Sequence, residues 1–182
     1  MKIAGKEAVA DAAMDIIAFE GMDKLSMSTL AEHLGLKKAS IYHWFPSKEE
    51  MLDYLFSKGH ERLMAKGFRL SLEGSAEEVL GRAAEGWRGI FSSDDTLPFL
   101  RTVYALRYSD ARAEEEARSI RLMIQSQIDV LISSLGVDDK FLSLLFSSLL
   151  LQHLEAILEG GNDDFSRDAA SFASLLAGYR KN

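Results

Sequence analysis

Residues 37–50 read KKASIYHWFPSKEE, and this stretch decides the fold. Its first half predicts a short helix over 38–44. Pro46 stops that helix, because a proline pushes the residue before it out of the helical region. Ser47 then caps the next helix, and Glu50, at its third position, completes a capping box. In the short helix Ile41 and Phe45 share one narrow face, with Ala39 close to the preceding turn, so they are the inward residues. Lys38, Ser40, Tyr42, His43 and Trp44 are left for the outer side. Consecutive side chains on a helix point about 100° apart, so residues 42, 43 and 44 do not all reach one core. That geometry weighs against an aromatic core cluster. Exposed rings contribute nothing to folding, so a helix presenting Tyr, His and Trp is expected to touch something else.

Upstream, residues 6–20 predict an amphipathic helix: Val9, Ala12, Ala13, Ile16 and Ile17 recur at helical spacing opposite Glu7, Asp11 and Asp15, and Gly21 closes it. Ser26 caps a second helix carrying Leu30, Ala31 and Leu34, which ends at Gly35 after barely two turns. MSTLAEHL, then GLKK, then ASIYHWF is thus a pair of short helices joined by a glycine-containing turn, the helix-turn-helix pattern. In that pattern the first helix crosses the DNA backbone and the second presents hydrogen-bonding side chains to the major groove. Downstream, a long helix is expected over 48–66, and a break at Gly74-Ser75 follows. Further helices are expected near 76–92, 98–109, 113–135, 138–160 and 164–180, with Pro98 opening one and Asp138 and Asp164 at cap positions. The fold class is all-α: an N-terminal three-helix helix-turn-helix head, residues 1–47, on a larger helical bundle, residues 48–182.

Composition narrows the function. The 182 residues carry a formal net charge of −7, which argues against a binder that grips nucleic acid by summed positive charge. Residues 1–60 hold seven lysines against nine acids, so any basic contact face there depends on placement rather than bulk charge. There is no cysteine, hence no disulfide, thiolate or cysteine-based zinc chemistry. The N-terminus lacks the apolar run of a signal peptide. The apolar stretch FLSLLFSSLLLQHLEAIL at 141–158 holds Gln152, His153 and Glu155, and its clean part is shorter than the ~20 residues of a span, so it reads as a buried helix. No HExxH, G-x-S-x-G or phosphate-cradling glycine loop occurs, and no enzyme, metal or cofactor is expected.

From Val9 to Met51, about the first quarter of the chain, the sequence resembles the DNA-binding head of the TetR family of bacterial transcriptional regulators. The resemblance rests on AVADAAMDIIAFEG, Leu25-Ser26-Met27, LAEHLGL and KKASIYHWFPSKEEML. The family's small-Leu/Ile-Tyr-x-x-Phe and Ser-Lys-Glu elements are met by Ser40-Ile41-Tyr42-His43-Trp44-Phe45 and Ser47-Lys48-Glu49. The resemblance implies that Lys38, Ser40, Tyr42 and His43 meet the major groove, that Lys48 holds a phosphate, and that Ser28 and Thr29 contact the backbone. The chain departs from the family at three points: Ser28 where Arg is common, Lys37 where a capping Ser is common, and Trp44 where His or Tyr is usual. Losing the cap costs on the order of 1 kcal/mol, offset in part where Lys37 reaches a phosphate. Lys2 and Lys6 are what the N-terminal arm offers the minor groove. Modest affinity with strong salt dependence follows, from roughly 3 to 5 phosphate contacts per head.

The resemblance also implies a homodimer whose two heads sit ~34 Å apart on a palindromic double-stranded DNA operator. A helix apolar nearly all round at 138–160, joined by 164–180, would supply the interface: Phe146, Leu150, His153, Leu154, Ile157, Phe172 and Leu176, unless the domain's own helices wrap it. An effector pocket for a small molecule would fall among Trp87, Phe91, Phe99, Tyr104, Tyr108, Met123 and Gln127, each of which also suits an ordinary core. Glu114-Glu115-Glu116 reads as a solvated first turn. The expected function is a cytoplasmic, ligand-responsive repressor with no membrane partner. The alternative is a helical protein-interaction or ligand-carrier module without operator-specific repression.

Overall fold

The computed structural model describes residues 5–161 and 164–179. Among them every regular element is helical: α1 (Lys6–Glu20), α2 (Met27–His33), α3 (Lys38–Trp44), α4 (Lys48–Ala65), α5 (Ala76–Phe91), α6 (Leu97–Leu106), α7 (Ala111–Ser134), α8 (Lys140–Leu158) and α9 (Ser166–Tyr179), with a 3₁₀ turn at Met22–Lys24 between α1 and α2. Local chemistry accounts for the boundaries. Ser26 Oγ accepts the Thr29 N–H at 3.0 Å at the start of α2. Ser47 Oγ accepts the Glu50 N–H at 3.1 Å, while the Glu50 carboxylate meets the Ser47 hydroxyl at 3.4 Å. A full capping box lies at α5, where Ser75 and Glu78 each accept the other's backbone N–H. The α8 cap is Asp139, one residue later than expected, because its carboxylate reaches the N–H groups of Phe141 and Leu142 at 2.8 and 3.3 Å.

The chain divides into two compact units. The first contains the described residues up to Ala65 together with Asp94–Ala117. There α1 packs on α4 and α6, and α2 packs on α3. Ile16, Leu30, Ile41, Phe45, Met51 and Leu52 are buried in it. On α4, Gly59 lets α6 come close: a Cβ there would overlap the Phe99 ring, which meets Phe56 edge-on at 6.2 Å. Arg62 on α4 binds Asp11 and Glu7 of α1 at 2.6 and 2.7 Å. Arg112, in the first turn of α7, reaches Asp53 and Glu49 of α4 at 2.7 and 3.0 Å and Asp110 at 2.7 Å. Glu116 is not solvated as expected: its carboxylate faces His60 Nδ1 at 2.9 Å, because that side of α7 lies on α4.

The second unit contains Lys66–Ser93 and the residues from Arg118 onward. Here α5 packs on α9 and α8. This packing corrects the expected interface. Phe146, Leu150, Leu154, Ile157, Phe172 and Leu176 are all buried within the unit itself, and His153 Nε2 meets Asp168 at 2.9 Å. Phe146 lies 4.7 Å from Phe172 and 5.3 Å from Phe165, ring centre to ring centre. The physical reason is that these residues form the inner stripes of α8 and α9, which their own chain covers. The outer stripes carry Phe141, Leu144, Leu175 and Tyr179 instead, all exposed. By length and composition α8 could cross a membrane, with 19 residues and mean hydropathy 1.6, but a core helix passes the same measure, and its inner stripe here is packed in protein.

Candidate nucleic-acid interface

The candidate interface is built by α2, the turn after it and α3. The turn is tight because Gly35 adopts φ +63, a left-handed conformation that costs a residue with a Cβ. Leu36 N–H then bonds back to Ala31 O at 2.8 Å and closes the α2 end. Ile41 and Phe45 pin α3 inward, at 0% and 1% exposure, while Ala39 stays on the surface. With two anchors on one side, the opposite side of a seven-residue helix has to face out.

That outer side carries most of the residues singled out from the sequence. Lys37, Lys38, Tyr42 and His43 are exposed, Tyr42 at 44%. Lys38 Nζ lies 5.8 Å from the Tyr42 ring centre, so the ammonium and the phenol form one cationic, hydrogen-bonding patch. Ser40 and Trp44 are half-buried, and Trp44 meets the His43 ring edge-on at 6.1 Å. Lys37 caps α3 by position, with no side-chain hydrogen bond to the helix. At the α2 start Ser28 is exposed and the Thr29 hydroxyl lies 2.8 Å from Ser26 Oγ.

Two lysines are placed by contacts that the sequence does not announce. Lys48 Nζ donates to Leu25 O at 2.8 Å, holding the α4 start to the loop ahead of α2. It retains further donors for a phosphate. Lys6 Nζ sits 4.6 Å over the Tyr54 ring and 5.0 Å over Phe45, on the protein's own aromatic pair. Lys2 lies outside the described residues. Nearby, partial burial and then the neighbouring Asp11 push the Asp15 carboxyl above its ordinary value, with His33 acting in the opposite sense.

The expected effector residues are divided between the two units. Phe99, Tyr104 and Tyr108 belong to the first unit, where Phe99 is core and Tyr108 is 87% exposed. Trp87, Phe91, Met123 and Gln127 belong to the second, where Trp87 and Phe91 are core. Trp87 and Gln127 do line a common cleft of about 330 Å³, but its wall is the connector between α4 and α5. The missed signal was in the sequence: Phe68, Leu70 and Leu72 alternate with polar residues, the pattern of an extended segment covering an apolar face. Among the described residues no cluster of three or more His, Asp or Glu side chains is placed to hold a metal.

Residues 9–55, from α1 into α4, match the family model described as bacterial regulatory proteins, tetR family. The HTH-type transcriptional repressor DrrR1 of Streptomyces coeruleorubidus is 36% identical over 78 residues, 40% of this chain. The aligned region spans 29% of that relative's length. Among solved structures, the TetR family regulator PfmR of Thermus thermophilus superposes with a TM-score of 0.66 at 21% identity, over 94% of this chain and 95% of that one. A transcriptional regulator from Saccharomonospora viridis, solved in complex with choline, superposes with a TM-score of 0.61 at 18% identity, over 97% and 95%.

Proposed function

We propose that the chain is a tetR-family regulator: a non-enzymatic, cytoplasmic repressor that binds a palindromic operator as a homodimer and is released by a small molecule. The observation that carries this reading is α3. It buries only Ile41 and Phe45 and turns Lys38, Tyr42 and His43 outward next to Lys37, a concentration of positive charge and donors on a chain of net charge −7. Tyr42 and His43 read base edges, Lys37 and Lys38 neutralise phosphates, and Ser28, Thr29 and Lys48 hold the backbone, so residues 1–47 act as the head and 48–182 as the body. Two heads joined by a two-fold axis require self-complementary surfaces, and the outer stripes of α8 and α9 with Phe141, Leu144, Leu175 and Tyr179 are the surfaces proposed for them. A small-molecule effector is supported by the choline complex of the Saccharomonospora viridis structure. Near-complete release asks that an effector prefer the DNA-free state by ~10⁴-fold.

The test is fluorescence anisotropy with DNA flanking the coding sequence, for wild type, Tyr42→Ala and His43→Ala. Tyr42 and His43 are exposed, so the variants keep the fold. Each lost base contact is worth about 1–3 kcal/mol, roughly 5- to 150-fold in affinity per head. Unchanged binding by both variants would refute the reading and favour a helical module whose head no longer reads DNA.

A further inference from the structure

Lys48 stands where a cation is out of place. It opens α4, and the N-terminus of a helix carries partial positive charge that disfavours an ammonium. Its Nζ donates instead to Leu25 O at 2.8 Å, 23 residues earlier in the chain. Leu25 is 3% exposed and Lys48 is half-buried. The carbonyl that Lys48 meets lies just outside α2. The bonds of that helix begin at Ser26 O, which accepts the Leu30 N–H at 2.9 Å. Leu25 O therefore takes its donor from outside the helix, and Lys48 supplies it.

This one bond closes a ring that contains α3. From Leu25 the chain runs through α2, the Gly35 turn, α3 and Pro46 to Lys48, and the Lys48 side chain returns it to Leu25. Within the ring α2 packs on α3, and Ile41 and Phe45 bury the inner side of α3. Apolar contacts of that kind are non-directional. A hydrogen bond has a set length and direction, so the Lys48 tie fixes how far the start of α4 stands from the start of α2, with α3 held between them. We propose that Lys48 is a positioning residue for base reading: through Leu25 O it sets the pose in which α3 presents Tyr42 and His43. This role is separate from the phosphate that its two remaining N–H donors can hold. It rests on the reading of α3 as the helix that enters the major groove.

A lost phosphate contact weakens binding to every DNA alike and flattens the salt dependence, whereas a misplaced α3 loses base contacts and with them discrimination. Anisotropy with DNA flanking the coding sequence, and with a shuffled duplex of the same composition, separates the two effects. The series runs upward from low salt, where both duplexes are bound, for wild type, Lys48→Met and Lys37→Met. Lys37 is the control, exposed and with no side-chain hydrogen bond to α3. Lys37→Met should weaken both duplexes alike, lower the salt slope by about one per head and leave their affinity ratio unchanged. Lys48→Met should in addition cut that ratio about tenfold, as the loss of a base contact does. Hydrogen exchange without DNA is the second readout. Lys48→Met should speed amide exchange in α2 and α3 about tenfold relative to α6, because the ring is opened while Ile41 and Phe45 stay in place. An affinity ratio equal to that of wild type, or unchanged exchange in α2 and α3, overturns the inference. A wild type that does not tell the two duplexes apart sinks the DNA reading itself, and exchange then still decides whether the tie holds α2 and α3.

Discussion

Gly59→Ala tests the first unit where its packing is tightest. Two effects oppose each other. Alanine is favoured over glycine in a helix interior by about 0.8–1 kcal/mol. The added Cβ, however, would overlap Cγ, Cδ2 and Cε2 of Phe99, a side chain only 2% exposed. The ring can retreat only by giving up its contact with Phe56. Overpacking costs about 1–3 kcal/mol, and the lost ring contact adds roughly 0.5–1 kcal/mol. The net expectation is a loss of about 1–2 kcal/mol. Gly81→Ala and Gly89→Ala on α5 are the controls: at both positions a Cβ meets nothing within 4 Å, so each should gain about 0.5–1 kcal/mol. For a chain of this size 1 kcal/mol moves Tm by about 2–4 °C. Thermal unfolding followed by far-UV circular dichroism should therefore lower the midpoint for Gly59→Ala and raise it for the controls, a separation of at least about 3 °C. Phe99→Leu in the Gly59→Ala background should recover part of the loss by making room. A Gly59→Ala protein melting at or above the controls would show that Phe99 does not pack against α4.

Three further outcomes follow from charges and exposed faces. Arg112 holds the Asp110 carboxyl below its ordinary value, chiefly through their side-chain hydrogen bond; a depressed folded value means stability that is present above the unfolded value of 3.8 and lost as pH falls through the folded one. Arg112→Met should therefore lose about 1–2 kcal/mol at neutral pH, mostly at Asp110 because Glu49 and Asp53 are largely exposed, and the deficit against wild type should shrink below about pH 4 in acid denaturation. Asp15 has the opposite sign: burial and Asp11 raise it, so its ionised form is disfavoured in the fold at pH values above the raised value. Asp15→Asn should raise Tm at neutral pH and make no difference near the ordinary value of 3.8, and a variant that melts lower at neutral pH contradicts this. Leu144→Arg together with Leu175→Arg should shift sedimentation velocity from dimer to monomer; an unchanged distribution would place the interface elsewhere.

The limits of α2, α3 and the start of α4 were legible because their information is local. Pro46, Ser26, Ser47 and Gly35 act within a few residues of themselves, and the boundaries of α2, α3 and α4 fall where these residues put them. The outward set on α3 followed from helical periodicity alone, since Ile41 and Phe45 leave only one other face. Periodicity failed on α8. A helix apolar nearly all round does not say which stripe its own chain covers, and the residues expected at an interface, Phe146, Leu150 and Leu154, are the covered ones. It failed as well for Glu116, which reads as solvated along the chain but lies beside His60, 56 residues earlier.

The sequence by itself determined the all-α class, the ends of α2 and α3 with the start of α4, and the side chains that α3 turns outward, because capping, proline sterics and the 3.6-residue period act over one or two turns. Only the tertiary structure decided which apolar stripes are core, that Trp87 and Gln127 share a cleft walled by the connector while Phe99, Tyr104 and Tyr108 lie in the other unit, and that Arg112 clamps Glu49 and Asp53 across 63 and 59 residues of chain. Those pairings are fixed by how helices pack against one another, and neither spacing nor composition along the chain encodes which distant face each one meets.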